Sequence, residues 1–286
     1  MPINSLSYFM ITQLTLNDSL LLGFLQGITE FLPVSSSGHL VVAQALLGIK
    51  KTGISFEIFV HFGTLMSIFV MFRKDIGAMA AAFFKIIRNP KNIVVSYRSD
   101  KQFKLLVIIL ISTIPAGVIG ILFKESFEML FSSPKQVGYA FIFTGILLFS
   151  TKFAINRSAE IGIGNALIIG FAQAFAIIPG ISRAGSTIGA GMLRGISGEE
   201  AARFSFLLAI PVIAGATLLQ VIDIYEYGLK ELSLTVAAVG IISSFLTGIF
   251  AIRILMGIMK RGKLHYFSWY CIALGVVTIF FISENR

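Results

Sequence analysis

The chain has 286 residues, of which 56% are hydrophobic, 27 are phenylalanine and only 13% are charged. A soluble domain of this length could not bury so much apolar surface, so the composition excludes a water-soluble fold and indicates that a bilayer surrounds most of the protein. At a mean hydropathy of +0.89, the net charge of +9 predicts contact with anionic lipid headgroups and not with nucleic acid.

Two local features narrow the class further. The single cysteine, Cys271, lies inside an apolar run, which excludes a disulfide framework and a metal–thiolate site. No lysine or arginine precedes Lys50, and no cleavage site of small residues follows the first apolar stretch, so we expect no signal peptide. We therefore expect one integral membrane domain over residues 1–286.

Six apolar stretches are long enough to cross about 30 Å of hydrocarbon as α-helices. They lie near residues 54–72, 104–123, 136–153, 204–222, 234–256 and 267–283. Two further apolar segments, near 17–48 and 162–194, are interrupted by Pro33 and Pro179 with glycine and serine neighbours, which disfavours an unbroken crossing. The predicted fold is an all-α polytopic membrane protein with six full transmembrane helices and two re-entrant helical hairpins.

The distribution of basic residues predicts the orientation. Eight lysines and arginines between residues 73 and 104 face only Asp75 and Asp100, so the positive-inside rule makes this loop cytoplasmic. Alternating spans then place the other basic loops, with Lys152, Arg157, Lys260, Arg261 and Lys263, on the same side. The acidic turn Asp223–Glu231 and both termini are expected outside the cytoplasmic (inner) cell membrane.

The two broken segments match each other in sequence. One reads GFLQGITEFLPVSSSGH from Gly23, and the other reads GFAQAFAIIPGISRAGST from Gly170. Weaker matches pair FEIFVHFGTL with FSFLLAIPVI, ISTIPAG with ISSFLTG, and the glycines of FIFTGILLF and CIALGVVTIF. Each half, about 17–153 and 162–283, has three full spans, and this odd number requires the second half to be inverted. The hairpin tips should then meet near the membrane midplane and form the binding site.

The residues at the predicted tips are suited to bind an anion. In the first segment Ser35, Ser36 and Ser37 precede an apolar run, which is the arrangement of a helix N-cap, and Ser182 has the same position in the second. Two helix N-termini that point to one place form an anion site, and phosphate is their natural ligand. Arg183 adds a planar donor group for phosphate oxygens.

Two titratable residues of the first segment indicate catalysis. Glu30 lies among apolar residues, where a carboxylate costs about 2.5–3.5 kcal/mol, so it needs a function or a partner. Beside a phosphate-binding arginine, it suggests a bridging divalent cation. His39 lies in the first turn of its half-helix, where a neutral imidazole can act as a nucleophile or general base. The serine hydroxyls are alternative nucleophiles, activated by His39, and the sequence leaves this choice open.

The motifs QGITE (Gln26–Glu30), PVSSSGH and PGISRAGST (Pro179–Thr187) resemble the signatures of the undecaprenyl-diphosphate phosphatase family, membrane proteins associated with bacitracin resistance. The resemblance extends along nearly the whole chain. It implies hydrolysis of a C55 isoprenyl diphosphate to the monophosphate on the outer side of the cytoplasmic membrane, which recycles the lipid carrier for cell-wall synthesis. It also implies dependence on Mg²⁺ or Ca²⁺.

The resemblance implies roles for individual residues. Glu30 is the acidic motif residue, and Gln26 stands where many members have a second glutamate, so these two would hold the metal. Ser36 and His39 are the candidate nucleophile or base, and Arg183 is the phosphate clamp. Ala184 stands where a serine is common. Gln26 is also a candidate substrate contact, together with the other polar residues of the motifs: Ser35, Ser37, Ser182, Ser186 and Thr187. The implied partners are the isoprenyl diphosphate and membrane lipids, with a homodimer left open.

Several structural interpretations compete with these roles. Gln26 and Glu30, four residues apart on a helix, could simply hydrogen-bond each other, and Ser35 and Ser37 could be mere caps. Arg183 could form a structural ion pair with Glu30. Glu57 and His61, also four apart, could bind a ligand, but we expect them to support the first hairpin.

Two other function classes share some of these features. A secondary transporter or a lipid-carrier flippase would have the same inverted repeats, although solute binding alone does not need the histidine, hydroxyl and arginine cluster. The acid-phosphatase-like lipid phosphatases also have Ser-Gly-His and Ser-Arg motifs, but they require a second histidine shortly after Ser-Arg. The sequence after Arg183 is AGSTIGAGM, which excludes that class.

Overall fold

A computed structural model describes residues 14–47, 49, 53–123, 134–156, 158–227 and 233–282. All regular structure within these ranges is helical. The α-helices are α1 (Leu16–Phe31), α2 (Ser36–Leu47), α3 (Gly53–Met71), α4 (Arg73–Arg88), α5 (Ile93–Ser99), α6 (Lys101–Leu122), α7 (Pro134–Ser150), α8 (Ile163–Phe175), α9 (Arg183–Leu193), α10 (Gly198–Tyr227), α11 (Leu234–Met259) and α12 (Phe267–Val277), which a π-helical turn continues over Thr278–Ile282.

The predicted polytopic membrane fold is confirmed. Five helical stretches of the described chain are long and apolar enough to cross a bilayer: Lys101–Leu122, Pro134–Phe153, Gly198–Leu218, Leu234–Met259 and Leu264–Ile282. The remaining predicted span, 54–72, corresponds to α3, which passes the same test together with α4 although the pair is bent by 82°. Arg157 and residues 228–231 of the predicted acidic turn lie outside the described residues.

The basic segment between α3 and α6 is helical and not the loop that its composition suggested. α4 turns away from α3 and buries Met79, Ala82 and Ile86 on one face, while its lysines and arginines are exposed. Arg203 of α10 forms an ion pair with Asp75 of α4. An amphipathic helix that bends off a membrane span in this way is suited to lie along the headgroup region.

Both interrupted segments fold as helical hairpins. In the first hairpin, α1 and α2, the chain reverses around Ser35, whose φ is +69°. In the second hairpin, α8 and α9, the reversal includes Gly180 with φ +91°. Ser35 Oγ accepts a hydrogen bond from the amide of Gly38 at 3.4 Å, and Ser182 Oγ accepts one from the amide of Gly185 at 3.0 Å. Both serines therefore cap the helix that follows, as predicted.

The two halves of the chain exchange their hairpins. α1 packs on α11, and its counterpart α8 packs on α6. Matching serines make matching contacts: Ser112 Oγ of α6 donates to the Ala166 carbonyl at 2.8 Å, and Ser243 Oγ of α11 donates to the Leu20 carbonyl at 2.9 Å. Each hairpin is thus held by the second span of the opposite half.

α7 and α12 pack against each other in antiparallel directions. Gly145 and Gly275, which the repeat alignment pairs, each allow a close approach of the two helices, because an added Cβ would clash with Ile272 and Ile142, respectively. The contact partners therefore run in opposite directions along the two helices. Equivalent helices that pack antiparallel are what an inverted repeat requires.

Candidate functional site

Glu30 lies at the point where the two hairpins meet. Its Oε1 accepts a hydrogen bond from Arg183 Nη2 at 2.7 Å, across 153 positions of sequence. Its Oε2 accepts hydrogen bonds from Ser36 Oγ at 2.5 Å and from Gln26 Nε2 at 3.0 Å. The carboxylate is buried, and its charge is balanced by the guanidinium and by these donors. The predicted meeting of the tips is therefore present, with four motif residues in direct contact.

Local structure explains how these side chains converge. Gln26 and Glu30 are one helical turn apart and share a face of α1. Ser36 is the first residue of α2, and Arg183 is the first residue of α9. A Cβ at Gly27 would clash with Thr247, so this glycine lets α1 lie close to α11. The two half-helices therefore begin beside the carboxylate, where their unpaired amides favour negative charge.

Arg183 is fixed by α10 as well as by Glu30. Its Nη1 donates to the Ser205 carbonyl at 3.3 Å. Thr187 Oγ1 donates to the Arg183 carbonyl at 2.8 Å and lies 2.6 Å from Ser205 Oγ. Thr187, a candidate substrate contact, is therefore engaged in bonds that attach α9 to α10. The hydrogen bonds of Arg183 to Glu30 and Ser205 use one N–H of each terminal nitrogen, and the guanidinium has further N–H groups that can bind a ligand.

His39 is held on both ring nitrogens. Nδ1 lies 2.7 Å from the Ser35 carbonyl oxygen and Nε2 lies 2.7 Å from the Tyr270 hydroxyl, whose ring stacks on the imidazole. Because a carbonyl can only accept, Nδ1 carries the proton, and neutral Nε2 accepts from Tyr270. Ser36 Oγ donates its hydrogen bond to Glu30 and not to His39, so the two residues do not form a dyad. His39 thus supports the turn at Ser35.

His61 belongs to the site, although the sequence assigned it to a supporting role. Its Nε2 lies 3.7 Å from Glu30 Oε2, and its Nδ1 lies 2.6 Å from the Glu57 carbonyl oxygen. Glu57 itself supports the first hairpin as expected, because its Oε1 accepts from Gln44 Nε2 at 3.2 Å. The signal for His61 was its spacing from Glu57. No comparable signal marked Tyr270, which is 231 positions from His39.

The remaining candidate substrate contacts lie around the same tips. Ser35 Oγ is 3.3 Å from Ser37 Oγ. The amide of Ser182 donates to Thr144 Oγ1 at 3.1 Å, and that hydroxyl donates to the Gly180 carbonyl at 2.9 Å. Ser186 Oγ is buried without a hydrogen-bond partner in the described part of the chain. A buried hydroxyl without a partner is available to a ligand or to water.

The oxygen atoms where the two hairpins meet are suitable ligands for a divalent cation that also contacts a bound phosphate. Glu30 supplies a carboxylate, and Gln26 Oε1 is buried without a hydrogen-bond partner among the described residues. Hard cations such as Mg²⁺ prefer oxygen donors and commonly use one or two carboxylates together with substrate phosphates. The described residues contain no cluster of three or more His, Cys, Asp or Glu, so protein side chains alone do not form a metal cage there.

Known proteins resemble this chain over most of its length. The family model "Bacitracin resistance protein BacA" matches residues 19–277. An undecaprenyl-diphosphatase of Halothermothrix orenii is 43% identical over 261 residues, which cover 90% of this chain and 95% of the relative. One from Alkaliphilus metalliredigens is 42% identical over 276 residues, covering 94% and 99%, and one from Salinibacter ruber is 37% identical over 260 residues, covering 90% and 96%. The chain therefore belongs to the bacitracin resistance protein BacA family.

Proposed function

We propose that this protein is an undecaprenyl-diphosphatase, which hydrolyses undecaprenyl diphosphate to undecaprenyl phosphate and inorganic phosphate. The observation that carries the proposal is the contact of Ser36 and Arg183 with the two oxygens of one buried carboxylate, Glu30. This arrangement combines a hydroxyl, a proton acceptor and a cation that binds phosphate. A module that only binds a lipid has no need of the proton acceptor.

Ser36 is the nucleophile in this mechanism. Its hydroxyl donates to Glu30 Oε2 at 2.5 Å, so the carboxylate is placed to take the proton as Oγ attacks the terminal phosphorus. The bond that forms is Oγ–P, and the bond that breaks joins this phosphorus to the bridging oxygen. The lipid monophosphate leaves with the bridging oxygen. His39 is a less suitable nucleophile because both ring nitrogens already have partners.

Arg183 and the helix starts stabilise the charge that develops during transfer. The guanidinium is fixed by Glu30 and by the Ser205 carbonyl, so it is preorganised when a diphosphate enters. The amides at the starts of α2 and α9 add dipoles of the same sign. Preorganised donors lower the barrier more than mobile ones because they need no reorientation in the transition state.

Water completes the cycle. It attacks the phosphorus of phosphorylated Ser36, the Oγ–P bond breaks, and inorganic phosphate is released. As Oγ leaves, Glu30 returns its first proton to it, and the restored carboxylate takes a proton from the attacking water; Glu30 then releases this proton to solvent as phosphate departs, so the carboxylate is ready for the next cycle. His61 faces the same carboxylate, with Nε2 at 3.7 Å from Glu30 Oε2.

A divalent cation, Mg²⁺ or Ca²⁺, would be held by Glu30 and by the free carbonyl oxygen of Gln26, together with phosphate oxygens of the substrate. It would supply charge neutralisation on the diphosphate. Because Gln26 replaces a second carboxylate, the protein contribution to cation affinity is expected to be small, and substrate should tighten cation binding.

We place the protein in the cytoplasmic (inner) cell membrane, with both termini and the opening of the site on the outer side. This orientation follows from the positive-inside rule applied to the basic segment between residues 73 and 104. The isoprenyl tail would lie in the bilayer against the apolar outer faces of the helices. A homodimer stays a prediction, which sedimentation of the purified protein in detergent would check.

Trapping of a covalent intermediate tests the mechanism. Purified protein in detergent is mixed with undecaprenyl diphosphate labelled in its terminal phosphate and quenched in acid, which preserves phosphoserine but hydrolyses phosphohistidine. We expect label on the peptide that contains Ser36, and none in Ser36→Ala. Label that survives only in base and maps to His39 would overturn the role of Ser36.

The same preparation separates hydrolysis from transport. Detergent micelles have no two compartments, so phosphate release there requires an enzyme. Flux of lipid carrier in vesicles without any phosphate release in detergent would instead favour the transporter or flippase interpretation.

A further inference from the structure

A second candidate site lies beside the first hairpin, and the proposed reaction does not use it. It is an open cavity of about 640 Å³ between the end of α1, the end of α11 and the start of α12. Aliphatic and aromatic side chains form most of its lining, including Leu32, Val34, Ile258 and Phe267. Arg261 and Lys263 lie in the lining as well. We call this cavity the basic groove.

The basic groove has the layout of a site for an anionic amphiphile. Its apolar part includes hairpin residues Leu32 and Val34, and its two cations follow the end of α11 at Met259. Tyr266 and Tyr270, both partly exposed, contribute to the wall, and such aromatic residues are typical of the membrane interface. A ligand with its headgroup at the cations would therefore have its tail along hydrocarbon-facing side chains.

The charge in the basic groove is not neutralised by the protein. No acidic side chain is among the described residues of its lining. Among the described residues, the ion pairs of the chain involve neither Arg261 nor Lys263. Lys263 Nζ lies 5.4 Å from the centre of the Tyr266 ring, which orients the ammonium group but leaves its charge in place. Two cations beside an apolar surface complement a ligand with about two negative charges.

We infer that the basic groove, whose cations the predicted orientation places on the cytoplasmic side, binds an isoprenyl monophosphate of the kind that the proposed reaction produces at the outer side, so this inference rests on the proposed function. A phosphate monoester has a charge of roughly −1.5 to −2 at neutral pH, whereas the diester of a common phospholipid has one negative charge. The two unneutralised cations therefore favour the monoester. The groove also touches the catalytic hairpin, since Tyr270 lines it and bonds to His39 at 2.7 Å.

Photo-crosslinking in nanodiscs of zwitterionic lipid tests this site. The probe is an isoprenyl monophosphate with a radiolabel in the phosphate and a diazirine in the tail, added to the full-length protein. One variant removes both charges, Arg261→Gln with Lys263→Gln. A second variant, Gly257→Leu, fills the cavity, and it should fold because nothing lies within 4 Å of a Cβ at this position.

The chain offers matched controls for both variants. Lys260→Gln removes the cation that precedes Arg261 in sequence. The Lys260 side chain lines a different, polar pocket. Gly215→Leu places the same bulk on another span, again with nothing within 4 Å. The charge variant should weaken binding about thirtyfold, as expected for two cations near a lipid phosphate. Gly257→Leu should reduce the label by a similar factor, and both controls should stay within about twofold.

The outcomes separate this site from the proposed reaction. Label on α11 and α12 peptides that is lost in both groove variants supports the site. Unchanged labelling in these variants, label confined to the α9 peptide that contains Arg183, or equal competition by phosphatidylglycerol overturns it. Phosphate release from the diphosphate, measured on the same wild-type sample, decides the proposed function independently, because crosslinking needs no turnover.

Discussion

Glu30 and Arg183, one from each hairpin, form a buried ion pair with Nη2 2.7 Å from Oε1. The pair joins the two halves of the duplicated chain at the point where Ser36 also bonds to the carboxylate. A buried ion pair is weak evidence for stability, because desolvation offsets most of the attraction. Its position between a nucleophile and two helix starts is better explained by the binding and transfer of phosphate.

Replacing Arg183 by alanine should lower kcat/KM by a factor of about 10² to 10³, since one preorganised donor to a developing oxyanion contributes on that scale. Phosphate release from the diphosphate in detergent measures the effect. Arg194→Ala is the matched control, because Arg194 lies at the other end of α9 and bonds to Asn165 on an exposed surface. A folded Arg183→Ala protein with a near-normal rate would contradict the phosphate role.

Replacing Glu30 by glutamine should destabilise the protein as well as stop turnover. Loss of one partner leaves Arg183 buried without a counter-charge, which costs about 3–5 kcal/mol. The double variant Glu30→Gln with Arg183→Gln should recover much of this stability in detergent, because it removes both charges, while staying inactive. If the double variant is no more stable than the single one, the ion pair does not determine the stability of the tip.

Removal of the Tyr270 hydroxyl tests the role given to His39. In Tyr270→Phe the ring still stacks on the imidazole, but Nε2 loses its hydrogen-bond donor. We expect kcat to fall about tenfold with KM little changed, since a net hydrogen bond contributes about 1 kcal/mol to the position of the turn. Loss of the acid-stable phosphoserine together with a normal burst of phosphate release would instead assign the chemistry to His39.

The exchange of hairpins can be tested at glycines. Gly27→Leu should destabilise the protein by about 1–3 kcal/mol, because the new side chain clashes with Thr247 and with the backbone of α11. Gly77→Ala is the control, since nothing lies within 4 Å of its Cβ position on α4. Alanine should there be neutral or stabilising by up to about 1 kcal/mol. Thermal unfolding in detergent compares the two; equal effects would mean that α1 does not pack closely on α11.

The proposed divalent cation should bind mainly when substrate is also bound. Because the protein offers one carboxylate and one amide oxygen, removal of Mg²⁺ and Ca²⁺ by a chelator should abolish phosphate release without changing the unfolding temperature. Gln26→Glu supplies the second carboxylate and should lower the cation concentration needed for half-maximal rate by about tenfold. An unchanged cation requirement in this variant would place the cation away from Gln26.

Composition and local pattern determined the membrane class, the two hairpins and the capping serines, which are one of Ser35–Ser37 in the first hairpin and Ser182 in the second, because apolar length and chain-breaking residues act over a few turns of backbone. The odd number of spans per half predicts an inverted second half, and the antiparallel packing of α7 on α12 has the direction that such a repeat requires. Even the tip residues were identified from their types and spacing. All of these features depend on sequence-local chemistry.

The partners of each side chain were decided only by the tertiary structure. From the sequence alone, His39 and Ser36 were equally suitable candidates for the nucleophile. In the folded protein Ser36 Oγ donates a hydrogen bond to Glu30, and His39 Nε2 bonds to the Tyr270 hydroxyl. Tertiary packing also places His61 beside the Glu30 carboxylate, and it brings Arg261 and Lys263 into one groove with residues of the first hairpin. The rotation and depth of each helix are set by packing against distant segments, and a shift of one residue turns a side chain by about 100°.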